Sequence, residues 1–227
     1  MALALCEQIG EDRLATWLDP IVAVIAADLG DDDAARTHAE RAWERARQLN
    51  QLMLSAWALN ALGYAAMQRG DLPGALAWYE QYVALVRDTE NGVVRSIIMA
   101  RAAEAFLLAG RVEDAAQLAE KAIAVTESAK APHYAALARR VQAQVFAARG
   151  DHAAALRAFT EVIASFTQLG SRLELARTVY LRAALLLDRG ESGEREAARA
   201  DLVSARDNFV AMGAAHDRRR VEELLRE

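Results

Sequence analysis

Glycine returns every forty residues along this chain, at Gly30, Gly70, Gly110, Gly150 and Gly190. An alanine follows five positions after each of the first four, at Ala35, Ala75, Ala115 and Ala155. A fixed period of this length marks supersecondary units stacked in a row, each burying its apolar face only against its neighbours. The chain is therefore expected to be a solenoid, although 227 residues would otherwise point to one or two globular domains.

Three of the glycines are followed by aspartate, at Gly30-Asp31, Gly70-Asp71 and Gly150-Asp151. A glycine just past a helix end adopts the left-handed conformation that closes the C-terminus. The aspartate then accepts hydrogen bonds from the free N–H groups of the next helix. Each Gly-Asp thus predicts a tight corner between antiparallel helices, and Pro73 falls in a first turn, where its missing N–H costs nothing. Weaker breaks at Gly10, Asn50, Asn91-Gly92, Ala131-Pro132 and Gly170 divide each repeat in two. The first helix of each pair is expected over 12–29, 51–69, 93–109, 132–149 and 172–189, and the second over 32–49, 72–89, 112–129, 152–169 and 193–212. Apolar residues recur at helical spacing, as in Leu59, Leu62 and Ala66 or Ala115, Leu118, Ala122 and Val125. No segment alternates with period two for long enough to be a strand, so the class is all-α.

The two ends depart from the pattern. Residues 191–196 insert about three positions before Ala198, Leu202, Ala205 and Phe209 restore the phase, which predicts a surface loop, and Ala198→Leu beside it is expected to cost less than Ala115→Leu. Residues 214–227 are short and charged, carry Val221, Leu224 and Leu225 on one side, and read as a helix capping five repeats over 12–213. Residues 3–10 are similar to residues 164–170, the tail of a second helix, so residues 1–11 are expected to close a preceding repeat of a longer protein. Trp17 would pack against that repeat or, with Trp43 and Trp78, form a partner-binding patch at this end.

Composition removes several function classes. A net charge of −5 and a pI near 5.5 argue against nucleic acid as the partner. The longest apolar run, residues 21–27, is too short to span a bilayer, and residues 1–9 lack the features of a signal peptide, which leaves a cytoplasmic location as the default. Cys6 is the one cysteine. The histidines His38, His133, His152 and His216 are scattered without a second ligand at helical spacing, Asp31-Asp32-Asp33 lacks the spaced oxygens of a calcium loop, and no glycine cluster cradles a phosphate. No catalytic set, metal site or cofactor is expected. Lysine occurs only at Lys121 and Lys130, so arginine is the default cation, as in a GC-rich bacterial genome.

The run Leu59-Asn60-Ala61-Leu62-Gly63-Tyr64, followed by Gly70-Asp71, Ala75, Tyr79 and Tyr82, resembles the tetratricopeptide (TPR) motif. Small residues recur in phase at Gly63 and Ala75, Ala103 and Ala115, and Ala143 and Ala155. Large ones recur at Tyr79, Phe106, Phe146, Phe159 and Leu186. The forty-residue period, against the usual length of about thirty-four, is similar to the arrays of large bacterial regulators such as the LuxR-type maltose activator and related signalling ATPases. The resemblance implies a right-handed superhelical solenoid of antiparallel helix pairs. It also implies that the first helix of each pair lines a concave groove, which selects Trp57, Asn60, Tyr64, Gln68, Arg101, Glu104, Arg140, Gln144, Arg177 and Tyr180.

Helical spacing puts residues 57, 60, 64 and 68 on one face. Aromatic rings beside amide and guanidinium donors suit a protein or peptide segment, and Arg101, Arg140 and Arg177 would form a ladder selecting an acidic segment or a terminal carboxylate. Charge reversal at Arg140 is then expected to weaken a partner without unfolding the array. The function implied is a non-catalytic interaction module, the sensor or scaffold region of a larger bacterial signalling or transcriptional regulator. Two alternatives stand beside it: a small-ligand pocket built on Tyr64, Arg101 and Glu104, and self-association into a homo-oligomer through the N-terminal end.

Overall fold

The computed structural model describes residues 8, 12–87, 92–191 and 193–226. Cys6, Asn91, Ser192 and all of 1–11 except residue 8 lie outside the described residues. Eleven helices run in chain order with no strand among the described residues: α1 (Asp12–Leu29), α2 (Asp32–Leu49), α3 (Leu52–Gln68), α4 (Leu72–Val86), α5 (Gly92–Leu108), α6 (Val112–Ser128), α7 (Pro132–Ala148), α8 (His152–Gln168), α9 (Arg172–Arg189), α10 (Arg195–Met212) and α11 (Ala215–Arg226). None of them is long and apolar enough to cross a membrane.

The corners form for the reason the Gly-Asp pairs anticipate. At Gly70, φ is +87°. Its N–H donates to the Met67 carbonyl at 3.1 Å and the Asp71 N–H to that of Ala66 at 2.9 Å, the bond pair that closes a helix on a left-handed residue. Asp71 then accepts from the Gly74 N–H at 2.9 Å, as Asp31 does from Ala34 and Asp151 from Ala154, each at 3.0 Å. The third corner carries Arg111 instead, which caps nothing and pairs with Glu80 and Asp114. Midway breaks use Asn50 at φ 48° and Lys130 at φ 52°, so the break near Ala131-Pro132 turns at Lys130, and Pro132 opens α7.

Small residues sit where paired helices cross. Ala75, Ala115 and Ala155 are fully buried, and a Cβ added at Gly63 would stand 2.8 Å from the Tyr79 ring. Tyr79, Tyr82, Phe159 and Phe166 fill the space between repeats. Ala198 is as completely buried as Ala115, which corrects the expectation of loose packing beside the insertion. The extra residues are taken up before α10 begins, and the crossing itself is closed.

The C-terminal helix does more than cover α10. It reaches across to α1, at the other end of the chain. A Cβ at Gly30 would lie 2.7 Å from that of Ala215, and His216 Nε2 stands 2.8 Å from Asp32 Oδ1. Arg220 donates to the Gln68 carbonyl at 3.1 Å. The array therefore bends into a ring whose described ends meet, with α1, α3, α5, α7, α9 and α11 on the inside.

Candidate functional site

The forty-residue period places Tyr64, Glu104 and Gln144 at the same turn of three successive inner helices, α3, α5 and α7. Because the ring closes, these turns face one another across a cavity of about 370 Å³. Eight of the ten residues selected from the sequence line it: Tyr64, Gln68, Arg101, Glu104, Arg140, Gln144, Arg177 and Tyr180. Met67, Leu108 and Leu181 supply apolar wall, and Glu174, Asp217 and Arg220 complete the polar part.

Trp57 and Asn60 do not line the cavity. They share the face of Tyr64 but lie toward the start of α3, whereas the cavity sits against its C-terminal turns. Asn60 is buried with its Oδ1 unpaired among the described residues, and Trp57 is half-buried.

The arginine ladder is interleaved with carboxylates. Arg177 bonds Asp217 at 2.6 Å, Asp28 at 2.7 Å and Glu174 at 3.0 Å. Arg140 pairs with Glu174 and stands 3.7 Å from Glu104. Arg177 thereby joins α9 to both α1 and α11, so the cavity wall and the ring closure share a residue. Burial would push the Glu174 carboxyl up, but Arg140, Arg177 and Arg101 outweigh it and hold Glu174 well below the usual carboxylate range.

Arg101 behaves differently. Its guanidinium lies 3.7 Å over the Tyr64 ring. It makes no ion pair among the described residues, and its Nη1 is buried without a partner. Tyr64 donates its hydroxyl proton to Asp28 and accepts from Gln68 Nε2 at 2.6 Å, and burial raises its pKa far above the ordinary tyrosine value. Gln68 Oε1, Gln144 Oε1 and Arg140 Nε are also buried and unpaired among the described residues. No cluster of His, Cys, Asp and Glu able to hold a metal occurs among the described residues.

Residues 55–89 match the sequence profile described as tetratricopeptide repeat. The apo form of RapI superimposes with a TM-score of 0.67 at 14% identity, over 96% of this chain and 90% of that one. The nearly identical TPR-like repeats of a putative kinesin light chain from Podosopora anserina give 0.55 at 20% identity, over 90% and 96%. BtubC (BKLC) from P. vanneervenii gives 0.53 at 14%, over 88% and 87%. The chain is a TPR-like repeat array. No curated protein sequence is similar to it.

TPR-like arrays generally mediate protein–protein interaction. In this TPR-like array the inner face offers charged, amide and aromatic groups around a cavity, an arrangement suited to holding a guest. Sequence reasoning missed Glu174, Asp217 and Arg220. Asp217 stands forty positions after Arg177, so the period put it in phase with a residue the resemblance already placed on the inner face. Glu174, three residues before Arg177 on α9, had the helical spacing to be found.

Proposed function

We propose that this TPR-like array is a non-catalytic interaction module that takes a short peptide segment into the cavity of its inner face. The observation that carries this reading is that four residues from three inner helices, Gln68, Arg101, Arg140 and Gln144, line one cavity and each bury a polar atom with no partner among the described residues. Packing alone would favour apolar side chains at such positions, because a buried polar group without a partner costs about 1–3 kcal/mol. Peptide N–H and C=O groups are the complement of these atoms. The likeness to the arrays of large bacterial regulators supports a place as the sensor or scaffold region of such a cytoplasmic protein.

A peptide-display screen tests the reading. Leu108 lines the cavity and is 58% exposed, so Leu108→Trp plugs the site without disturbing the core. Peptides selected by the wild type are expected to lose binding to Leu108→Trp, and equal binding by both proteins would move the interaction to another face.

A second reading rests on a separate observation. Leu14, Trp17, Ile21 and Ile25 recur at helical spacing along α1 and are 36–53% exposed, an apolar stripe that supports self-association through this helix. A wild type that is monomeric at high concentration by sedimentation would remove it. A mass that falls to the monomer on Ile21→Lys/Ile25→Lys is the expected result.

A further inference from the structure

We infer that a groove at the edge of the array docks a segment of a partner protein that buries one large apolar side chain there and sets an Asp or Glu carboxylate on Lys130. The groove shares no lining residue with the inner cavity, so the inference goes beyond the peptide reading and does not depend on it. It has a volume of about 500 Å³ and runs between the C-terminal ends of α6 and α8. Pro132, Ala135, Ala136 and Arg139, spaced to share one face of α7, form its third side.

The groove exists because one repeat lacks the side chains that the next one has. Forty residues on, Phe166 and Leu175 stand in the phase of Thr126 and Ala135, and Val179 in that of Arg139. Phe166 is fully buried, and Leu175 packs against the same core. Thr126 gives its hydroxyl to the Ala122 carbonyl at 2.7 Å, so it makes no polar demand on the space. Pro132 and Leu169 lie exposed at the sides. A ring or a branched apolar side chain is the bulk that a guest would restore.

Charge on the rim specifies the rest of the guest. Lys130 turns the chain from α6 into α7 at φ 52°, and Asn50, Gly170 and Gly213 occupy the corresponding turns at φ 48°, 65° and 72°. Glycine and asparagine suit that conformation, whereas a long side chain is strained in it. A strained residue whose counterparts relax the turn points to a use for its side chain. Lys130 is one of only two lysines in the chain, lies exposed and makes no ion pair among the described residues. Arg139 is already paired with Glu127, so the groove keeps one net positive charge on a chain of net charge −5. A polyanion would be repelled by that chain, and a single carboxylate beside an apolar anchor is the complement of the groove.

The test pans a phage library of random dodecapeptides on the full chain, with counter-selection on Thr126→Phe/Ala135→Leu, which gives the groove the side chains of the next repeat. Selected peptides are expected to share a large apolar residue with Asp or Glu close to it. As synthetic peptides they should bind about tenfold or more weakly to the filled variant and to Lys130→Glu. The second variant alters one exposed side chain, so it reads the groove even where the filled variant does not fold. Changing the peptide's acid to its amide should give a similar loss on wild type and remove the effect of Lys130→Glu. Leu108→Trp, which plugs the inner cavity, should leave this binding unchanged, so the two sites fail separately. Lys130→Gly removes charge and strain together: binding should fall while the thermal midpoint holds or rises, and a clear drop in the midpoint would overturn the role given to Lys130. Peptides indifferent to Lys130→Glu, or no selected peptide at all, would overturn the inference. Self-association of the wild type in sedimentation, lost on Lys130→Glu, would overturn the partner and give the groove to a second copy.

Discussion

Arg140 shows how far a position can be read from its repeat and from the resemblance to TPR arrays. The resemblance implies a place on the inner face, and Arg140 does line the cavity there. Its surroundings are another matter: the side chain is 6% exposed and paired with Glu174, where the sequence led us to expect a replaceable rung of an open ladder. Arg140→Glu would set a new carboxylate against Glu174 and Glu104, and breaking a buried pair of this kind costs about 3–5 kcal/mol. Urea denaturation should report a loss of that size, and a loss below about 1 kcal/mol would mean that the pair is not structural. Glu174 carries a pH signature. Its folded pKa lies below the unfolded value of about 4.3, so its stabilisation is complete above that pH and is lost as acid brings the pH down toward the folded value. Glu174→Gln should therefore lower stability at pH 6 and flatten the fall in stability below pH 4. Parallel profiles for the two proteins would rule out this role.

At the scale of the helix, local chemistry was nearly sufficient. The corner glycines, the capping aspartates and the 3.6-residue spacing of apolar positions all act within a few residues, and the helix ends observed fall within three residues of those expected from them. The exception is the segment before α10. An insertion there reads as looseness, because sequence shows the extra residues and not how they are absorbed. Ala115 and Ala198 are both completely buried, so Ala115→Leu and Ala198→Leu should each cost about 1–3 kcal/mol by overpacking. Chemical denaturation of the two variants checks this, and a clearly milder effect at Ala198 would restore the looser reading.

Across the whole molecule the decisive feature is the meeting of α1 and α11. The seam is narrow and partly polar: His216 against Asp32, Arg177 between Asp28 and Asp217, and Ala215 packed on Gly30. Ala215→Leu puts a wedge into that contact while sparing the crossings within each repeat. Small-angle scattering should show a larger radius of gyration with unchanged helicity by circular dichroism, and an unchanged radius would mean that the ring closes without this contact. The candidate site depends on the same closure, since Arg177 and Asp217 belong to both the seam and the cavity wall.

From its residues alone this chain declares an all-α repeat array and the position of its corners, because capping, helical spacing and a forty-residue phase are short-range properties; the resemblance to TPR arrays added which helices face inward, and with them eight of the side chains that line the cavity. What the tertiary structure decided is that the inner face curves around a cavity and that Arg140 and Arg177 on it are already paired with Asp28, Glu174 and Asp217. Closure is the sum of a small rotation at every repeat. It joins Asp32 to His216 across 184 positions, and no local signal in the sequence carries that sum.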